Sequence, residues 1–245
     1  MVEEPAKCCD DDAELACGRR RINGAEAKML PIVTQDDLDK AIAQLGSVAA
    51  WEPHRWKRVQ MLAAAASGKG VVELMTKQDE TGQAVAVKRL PWNLLMSSPE
   101  EFDKANPHAN ERPWVDIGIM RHLNSIRFQY TCELLGVFFD DEQAYISMSF
   151  ATQGDLFSWC QADSSKAGEA REVAMRPVVS QMLTAVCSLH NMGIAHRDLS
   201  CENLLLTEVG CELQLKVIDF GMASLSRTAK NEVRGKRSYQ APEMH

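Results

Sequence analysis

Two short strings limit what this chain can fold into more than any other feature of it. One is His196-Arg197-Asp198-Leu199-Ser200-Cys201-Glu202-Asn203; the other, sixteen residues after Asn203, is Asp219-Phe220-Gly221. Asp198 can accept a proton from a hydroxyl, while Asn203 and Asp219 can hold a divalent cation such as magnesium against phosphate oxygens. A single acidic residue in a loop is nearly always a solvated carboxylate. Seven fixed residues across both strings, in order, are not expected by chance, so the two are read as one chemical unit.

At 245 residues, with 45% apolar and 25% charged side chains, the chain has the composition of a globular protein of one large domain or two small ones. Its net charge of −7 argues against nucleic acid or an anionic membrane as the main partner. No apolar run approaches the roughly 18 residues a membrane-spanning helix needs, and Val2-Glu3-Glu4 opens neither a secretory signal nor a myristoylation site. The eight cysteines show no Cys-x-x-Cys and no paired histidine pattern, which argues against structural zinc. Reduced thiols in a cytoplasmic or nuclear protein, not a secreted one, fit best, with lipidation of Cys8-Cys9 the alternative.

Residues 1–57 read as an N-terminal tail with a short helix. The first 33 mix an acidic cluster (Asp10, Asp11, Asp12) with a basic one (Arg19, Arg20, Arg21) and show no hydrophobic period, as in a flexible tail. Thr34-Gln35-Asp36-Asp37 has the form of a helix N-cap. Leu38, Ile42 and Leu45 follow at helical spacing, with Gly46 as the stop, and this helix is expected to dock on the main domain. Val71-Val72-Glu73-Leu74 and Ala84-Val85-Ala86-Val87-Lys88 flank the turn signal Glu80-Thr81-Gly82-Gln83, which predicts a β-hairpin. Residues 116–123 carry apolar side chains at helical spacing, and strands are expected at 134–139 and 144–150. Beyond Gln153-Gly154 the pattern is helical, above all over 173–192, where Val178, Met182, Ala185, Val186 and Leu189 form one stripe. Strands first and helices later is an α+β arrangement in two lobes, a β-rich one at 58–150 and a helical one at 151–245.

With these residues in view, the stretch 58–245 resembles the eukaryotic protein kinase catalytic domain, of the serine/threonine type. The resemblance implies a two-lobed kinase-like fold, ATP and Mg2+ as cofactors, and protein substrates phosphorylated on Ser or Thr. It makes Asp198 the catalytic base and Asn203 and Asp219 the metal ligands. Lys88, ending an apolar strand 110 residues before Asp198, is similar to the lysine that contacts the α- and β-phosphates. Met148-Ser149-Phe150-Ala151 looks like the gatekeeper and hinge, where the Ser149 carbonyl and the Ala151 amide and carbonyl would bond adenine. Ala86 and Leu205 would sandwich the ring. Asp155 matches an acidic residue that bonds the ribose, and would equally serve as a helix N-cap. Ala241-Pro242-Glu243 matches the close of the activation segment. Arg197 stands where the family commonly pairs an arginine with a phosphorylated loop residue, for which Ser224, Ser226, Thr228 and Ser238 are available.

The chain departs from the family pattern in four places. Its glycine-rich loop is degenerate, with Ala66, Gly68 and Val71 at the three glycine positions and Gly70 at the tip, although Gly68-Lys69-Gly70 can still bring backbone N–H groups near phosphate. Asp116 falls where a glutamate usually pairs with the lysine, so that helix has to sit about 1.5 Å, one C–C bond, closer. Glu111, five residues earlier, is expected off that face. Ser200 replaces the usual catalytic-loop lysine, and Lys236 stands where the family usually has threonine. The two are expected to face each other, with Lys236 supplying the missing positive charge at the catalytic site, or else belonging to a basic surface run with Arg234 and Arg237. The fourth departure is the end at His245, before the family's later helices, which reads as a fragment or truncated gene product of doubtful activity.

A kinase is the leading reading. A pseudokinase-like nucleotide-binding or scaffold module is the alternative, and a small-molecule phosphotransferase is disfavoured by Ala241-Pro242-Glu243.

Overall fold

Most of the local signals fold into one six-stranded sheet followed by a helical layer. The computed structural model describes residues 31–44, 49–64, 70–96, 98–162, 168–226 and 233–242. Of the positions singled out above, residues 1–30, Leu45, Gly46, Ala66, Gly68, Lys69, Thr228 and Glu243 lie outside the described residues.

Helix α1 (Gln35–Ala43) begins as its sequence predicts. The Asp37 N–H donates to Thr34 Oγ1 and the Thr34 N–H donates to Asp37 Oδ2, a reciprocal box that satisfies two otherwise orphaned donors. Leu38 and Ala41 are buried. The flexible-tail reading fails for residue 33. Val33 is 3% exposed and donates its N–H to the Met192 carbonyl at 2.8 Å. A short apolar stretch before a helix has no period to reveal which of its residues is buried, so nothing local marks Val33.

The sheet runs in the order β1 (Ala49–Ala50), β5 (Leu134–Phe139), β6 (Gln143–Ser149), β4 (Ala84–Pro91), β3 (Val71–Lys77), β2 (Trp56–Ala64). It therefore takes in residues N-terminal to the boundary read at 58. Central β4 buries Val85, Ala86 and Val87 in succession, as a strand covered on both faces must. The β2 strand is an edge with mostly exposed side chains and two register shifts. Its Trp-Lys-Arg-Val-Gln sequence has no buried alternation to betray it.

Helix α4 (Pro113–Ser125) lies between two apolar clusters. Ile119 and Leu123 join the helical-lobe core with Leu189, Ile194 and Phe220, whereas Trp114, Ile117 and Met120 join the sheet core with Ala86, Leu134 and Ile146. Short helices α2 (Trp92–Leu95) and α3 (Pro99–Ala105) precede it. Helix α5 (Leu156–Ala162) and the long α6 (Glu169–Asn191) follow the sheet; α6 buries Val178, Ala185 and Leu189 of the expected stripe. Its other face leaves Val173, Val179 and Leu183 exposed.

Strands-then-helices needs one correction. After α6 the chain returns to β structure in a hairpin, β7 (Leu204–Val209) with β8 (Glu212–Val217). The run Leu204-Leu205-Leu206 fits helix and strand equally by hydrophobicity. It is pairing with β8, which buries Leu204, Leu206, Leu215 and Val217, that decides for strand. No described helix is long and apolar enough to cross a membrane.

Candidate active site

The two strings meet where β7 and β8 begin and end. Ile218 N–H donates to the Asn203 carbonyl at 3.1 Å, and His196 Nε2 lies 3.0 Å from the Ile218 carbonyl oxygen. The His196 ring lies 5.0 Å from that of fully buried Phe220. Burial holds its pKa below the ordinary histidine range. Arg197 and Asp219 both sit at φ 66°, a strained setting for residues with a Cβ, which turns the catalytic loop and the Asp-Phe-Gly segment sharply toward each other.

Asp198 is held from three sides. Asn203 Nδ2 donates to its carbonyl at 2.7 Å and to its Oδ2 at 3.0 Å, and the Lys236 backbone N–H donates to its Oδ1 at 3.2 Å. With Nδ2 so committed, the Asn203 side-chain oxygen is left as its acceptor. Lys236 Nζ also donates to Ser200 Oγ at 2.9 Å and lies 3.2 Å from Glu202 Oε2, so positions 200 and 236 do face each other. Gly235 makes this possible. Its φ is +83°, and a Cβ there would lie 2.6 Å from the Arg197 carbonyl oxygen, a clash with backbone that cannot give way. In the sequence, the only signal that marks Gly235 is its place beside Lys236, an expected catalytic-loop contact.

Across the cleft, Lys88 is ringed by carboxylates. Its Nζ lies 3.8 Å from Asp219 Oδ1 and 3.9 Å from both Asp116 Oδ2 and Glu111 Oε1. Burial pulls the Lys88 pKa down, but the three carboxylates, Asp219 foremost, outweigh it and leave it raised. Asp116 is where the sequence places it. Glu111 corrects the expectation, for it precedes α4 rather than lying on it, so helical face geometry does not apply to it. Asp116 also accepts the Phe220 N–H at 2.9 Å, and the Arg112 N–H donates to the Gly221 carbonyl at 2.8 Å. The start of α4 thereby grips the Asp-Phe-Gly segment directly.

Burial of Asp116 pushes its pKa up to about 6, with Asp219 and Glu111 adding to the rise and Lys88 opposing it. Since the folded value exceeds the unfolded one, its contribution to stability is full below about 4 and is lost as pH rises through about 6. The expected result is that the Tm advantage of wild type over Asp116→Asn shrinks between pH 5 and pH 7. Parallel melting curves across that window would show this model of the site to be wrong.

The adenine-side residues also come together. Ala86 pairs with Met148 across β4 and β6, and Leu205 of β7 packs on the cluster that contains both. Ala151 is buried, and its carbonyl accepts a long 3.4 Å bond from Gly154. Ser149 donates its N–H to the Glu133 carbonyl. Gly70 is half-buried at the start of β3. Asp155 accepts from Ser158 N and Ser158 Oγ, both at 2.8 Å, so its two oxygens cap α5 and a ribose hydroxyl would have to share them. Among the described residues, no group of three His, Cys, Asp or Glu is placed to hold a metal by itself. One Asp with one Asn could supply only part of a magnesium's oxygen shell, the rest coming from phosphates and water.

Comparison with known proteins agrees with this geometry. The model of the protein kinase domain matches residues 67–245. CDPK-related kinase 8 of Arabidopsis thaliana is 30% identical over 170 residues, covering 69% of this chain and 26% of that protein. CBL-interacting serine/threonine-protein kinase 26 of the same plant is 31% identical over 170 residues, covering 67% and 34% respectively. Serine/threonine-protein kinase RAD53 of Saccharomyces cerevisiae is 33% identical over 181 residues, covering 72% and 20%. The chain thus spans about a third or less of the length of these relatives. A domain match over most of the chain, on a fold whose catalytic loop and Asp-Phe-Gly segment share one network, makes this protein a member of the protein kinase family.

Proposed function

We propose that this chain carries the nucleotide-binding and catalytic part of an ATP- and magnesium-dependent serine/threonine protein kinase, acting in the cytoplasm or nucleus. The observation that carries the reading is that Lys88 pairs with Asp219 and Asn203 with Asp198, while Ile218, the residue before Asp219, donates its N–H to the Asn203 carbonyl. Magnesium would supply charge neutralisation at the transferring phosphoryl group. The residues would do the rest. Lys88 would fix the α- and β-phosphates, and Asn203 and Asp219 would offer the metal one oxygen donor each. Asp198 would orient the attacking hydroxyl and accept its proton as the new P–O bond forms and the bond to the leaving nucleotide breaks. Lys236, held beside Ser200, would place a positive charge near the developing negative one. Tyrosine kinases usually have arginine four residues after the catalytic aspartate, where this chain has Glu202; that and relatives named serine/threonine kinases support Ser or Thr as the acceptor.

The degenerate glycine-rich loop supports the second reading, a pseudokinase-like module that holds nucleotide without transfer. The two separate on incubation of the purified chain with Mg-ATP and a serine/threonine peptide library. Phosphoserine or phosphothreonine, formed at low turnover, is expected. Nucleotide binding without transfer would leave the second reading, and the absence of binding would remove both.

A further inference from the structure

The segment before the sheet touches both lobes and the helix between them. At its start, the Val33 N–H is bonded to the Met192 carbonyl at the end of α6. Val33 and Leu38 are buried in the core that holds Leu189, Met192 and Ile194 together with Ile119 and Leu123 of α4. At its other end, β1 lies beside β5 and the Trp51 N–H donates to the Phe139 carbonyl at 2.7 Å. The Trp51 ring is stacked between those of Trp56 at 5.1 Å and Tyr145 at 4.0 Å.

Between these anchors α1 packs on α4, closest at Gly118. A Cβ at Gly118 would stand 3.2 Å from Ile42 Cδ1 and 3.4 Å from Leu38 Cβ. Glycine disfavours a helix interior, so its presence in α4 is accounted for by this close approach. Gly118 lies two residues after Asp116, about 200° around the helix, so α1 covers the back of α4 while Asp116 faces Lys88. Asp116 Oδ2 lies 3.9 Å from Lys88 Nζ, already a long ion-pair distance. Small outward movement of α4 would lose that pair and the Asp116 bond to Phe220 N–H.

We propose that Val33, α1 and β1 with Trp51 form a built-in strap that holds α4 at the distance from β4 where Asp116 meets Lys88, with Leu38 and Ile42 as positioning residues. The inference rests on the kinase reading for its functional meaning and on packing for its existence.

The test uses the full chain with Leu38→Ala and Ile42→Ala, followed by hydrogen exchange and by titration with Mg-ADP. Residues 116–123 of α4 are expected to exchange about tenfold faster or more, while β7 and β8 stay close to wild type. Mg-ADP is expected to bind roughly threefold to tenfold more weakly, and this loss should disappear in an Asp116→Asn background, because the strap acts through that carboxylate. Equal acceleration in β7 and β8 would make Leu38 a core filler and overturn the proposal. So would unchanged exchange in α4, or a binding loss that persists without Asp116. If the chain binds no Mg-ADP, the kinase reading fails while exchange in α4 still decides the strap. Should Leu38→Ala not fold, Ile42→Ala, whose side chain is only half-buried, carries both readouts.

Discussion

Replacing Asp219 with alanine is expected to lower phosphoryl transfer by about a thousandfold or more, the scale of a lost metal ligand worth several kcal/mol. Asp219 carries the only carboxylate of the proposed metal pair, since Asn203 is neutral. It is also the leading cause of the raised Lys88 pKa and sits 3.8 Å from that Nζ. The alanine variant therefore loses the proposed metal ligand and leaves Lys88 with two carboxylates, Asp116 and Glu111, in place of three. The variant is still expected to fold, because Phe220, whose ring is buried, keeps its bond to Asp116 and its packing on His196. A phosphate-transfer assay alongside a melting curve checks both halves. Retained transfer in a folded Asp219→Ala protein would sink the mechanism.

Lys236→Ala is expected to lower turnover on the order of a hundredfold, the scale of losing one preorganised group that stabilises transition-state charge. Arg237→Ala should change it little. The difference follows from placement. Lys236 Nζ is bonded to buried Ser200 and the Lys236 N–H to Asp198. Glu202, 3.2 Å away, both orients this ammonium group and offsets part of its charge. Both side chains are about 40% exposed, so solvent screens their pairing and the Ser200 bond is the firmer anchor. The exchange Ser200→Lys with Lys236→Thr moves the charge back to the loop position usual in the family and should restore much of the rate. Equal, small losses in Lys236→Ala and Arg237→Ala would leave only a basic surface run.

Much of the site was legible because its chemistry is carried by residues close in sequence. The proposed proton acceptor and first proposed metal ligand are five residues apart, with the second proposed ligand sixteen further on. The hairpin of β3 and β4 was legible from alternation and a turn signal, and the start of α1 from a capping pattern, since both depend on bonds within a few residues. Even the facing of Ser200 and Lys236 could be expected, though only by resemblance to the family.

Tertiary structure decided what local signals leave open. Whether Leu204-Leu205-Leu206 became strand or helix depended on β8, and whether Val33 was tail or core depended on Met192, 159 residues away. Glu111 reached Lys88 because it lies before α4, where no helical period governs it. Short-range order is written in spacing and capping. Burial, pairing of remote strands and the meeting of charges across a cleft arise only when separate segments exclude water from one another.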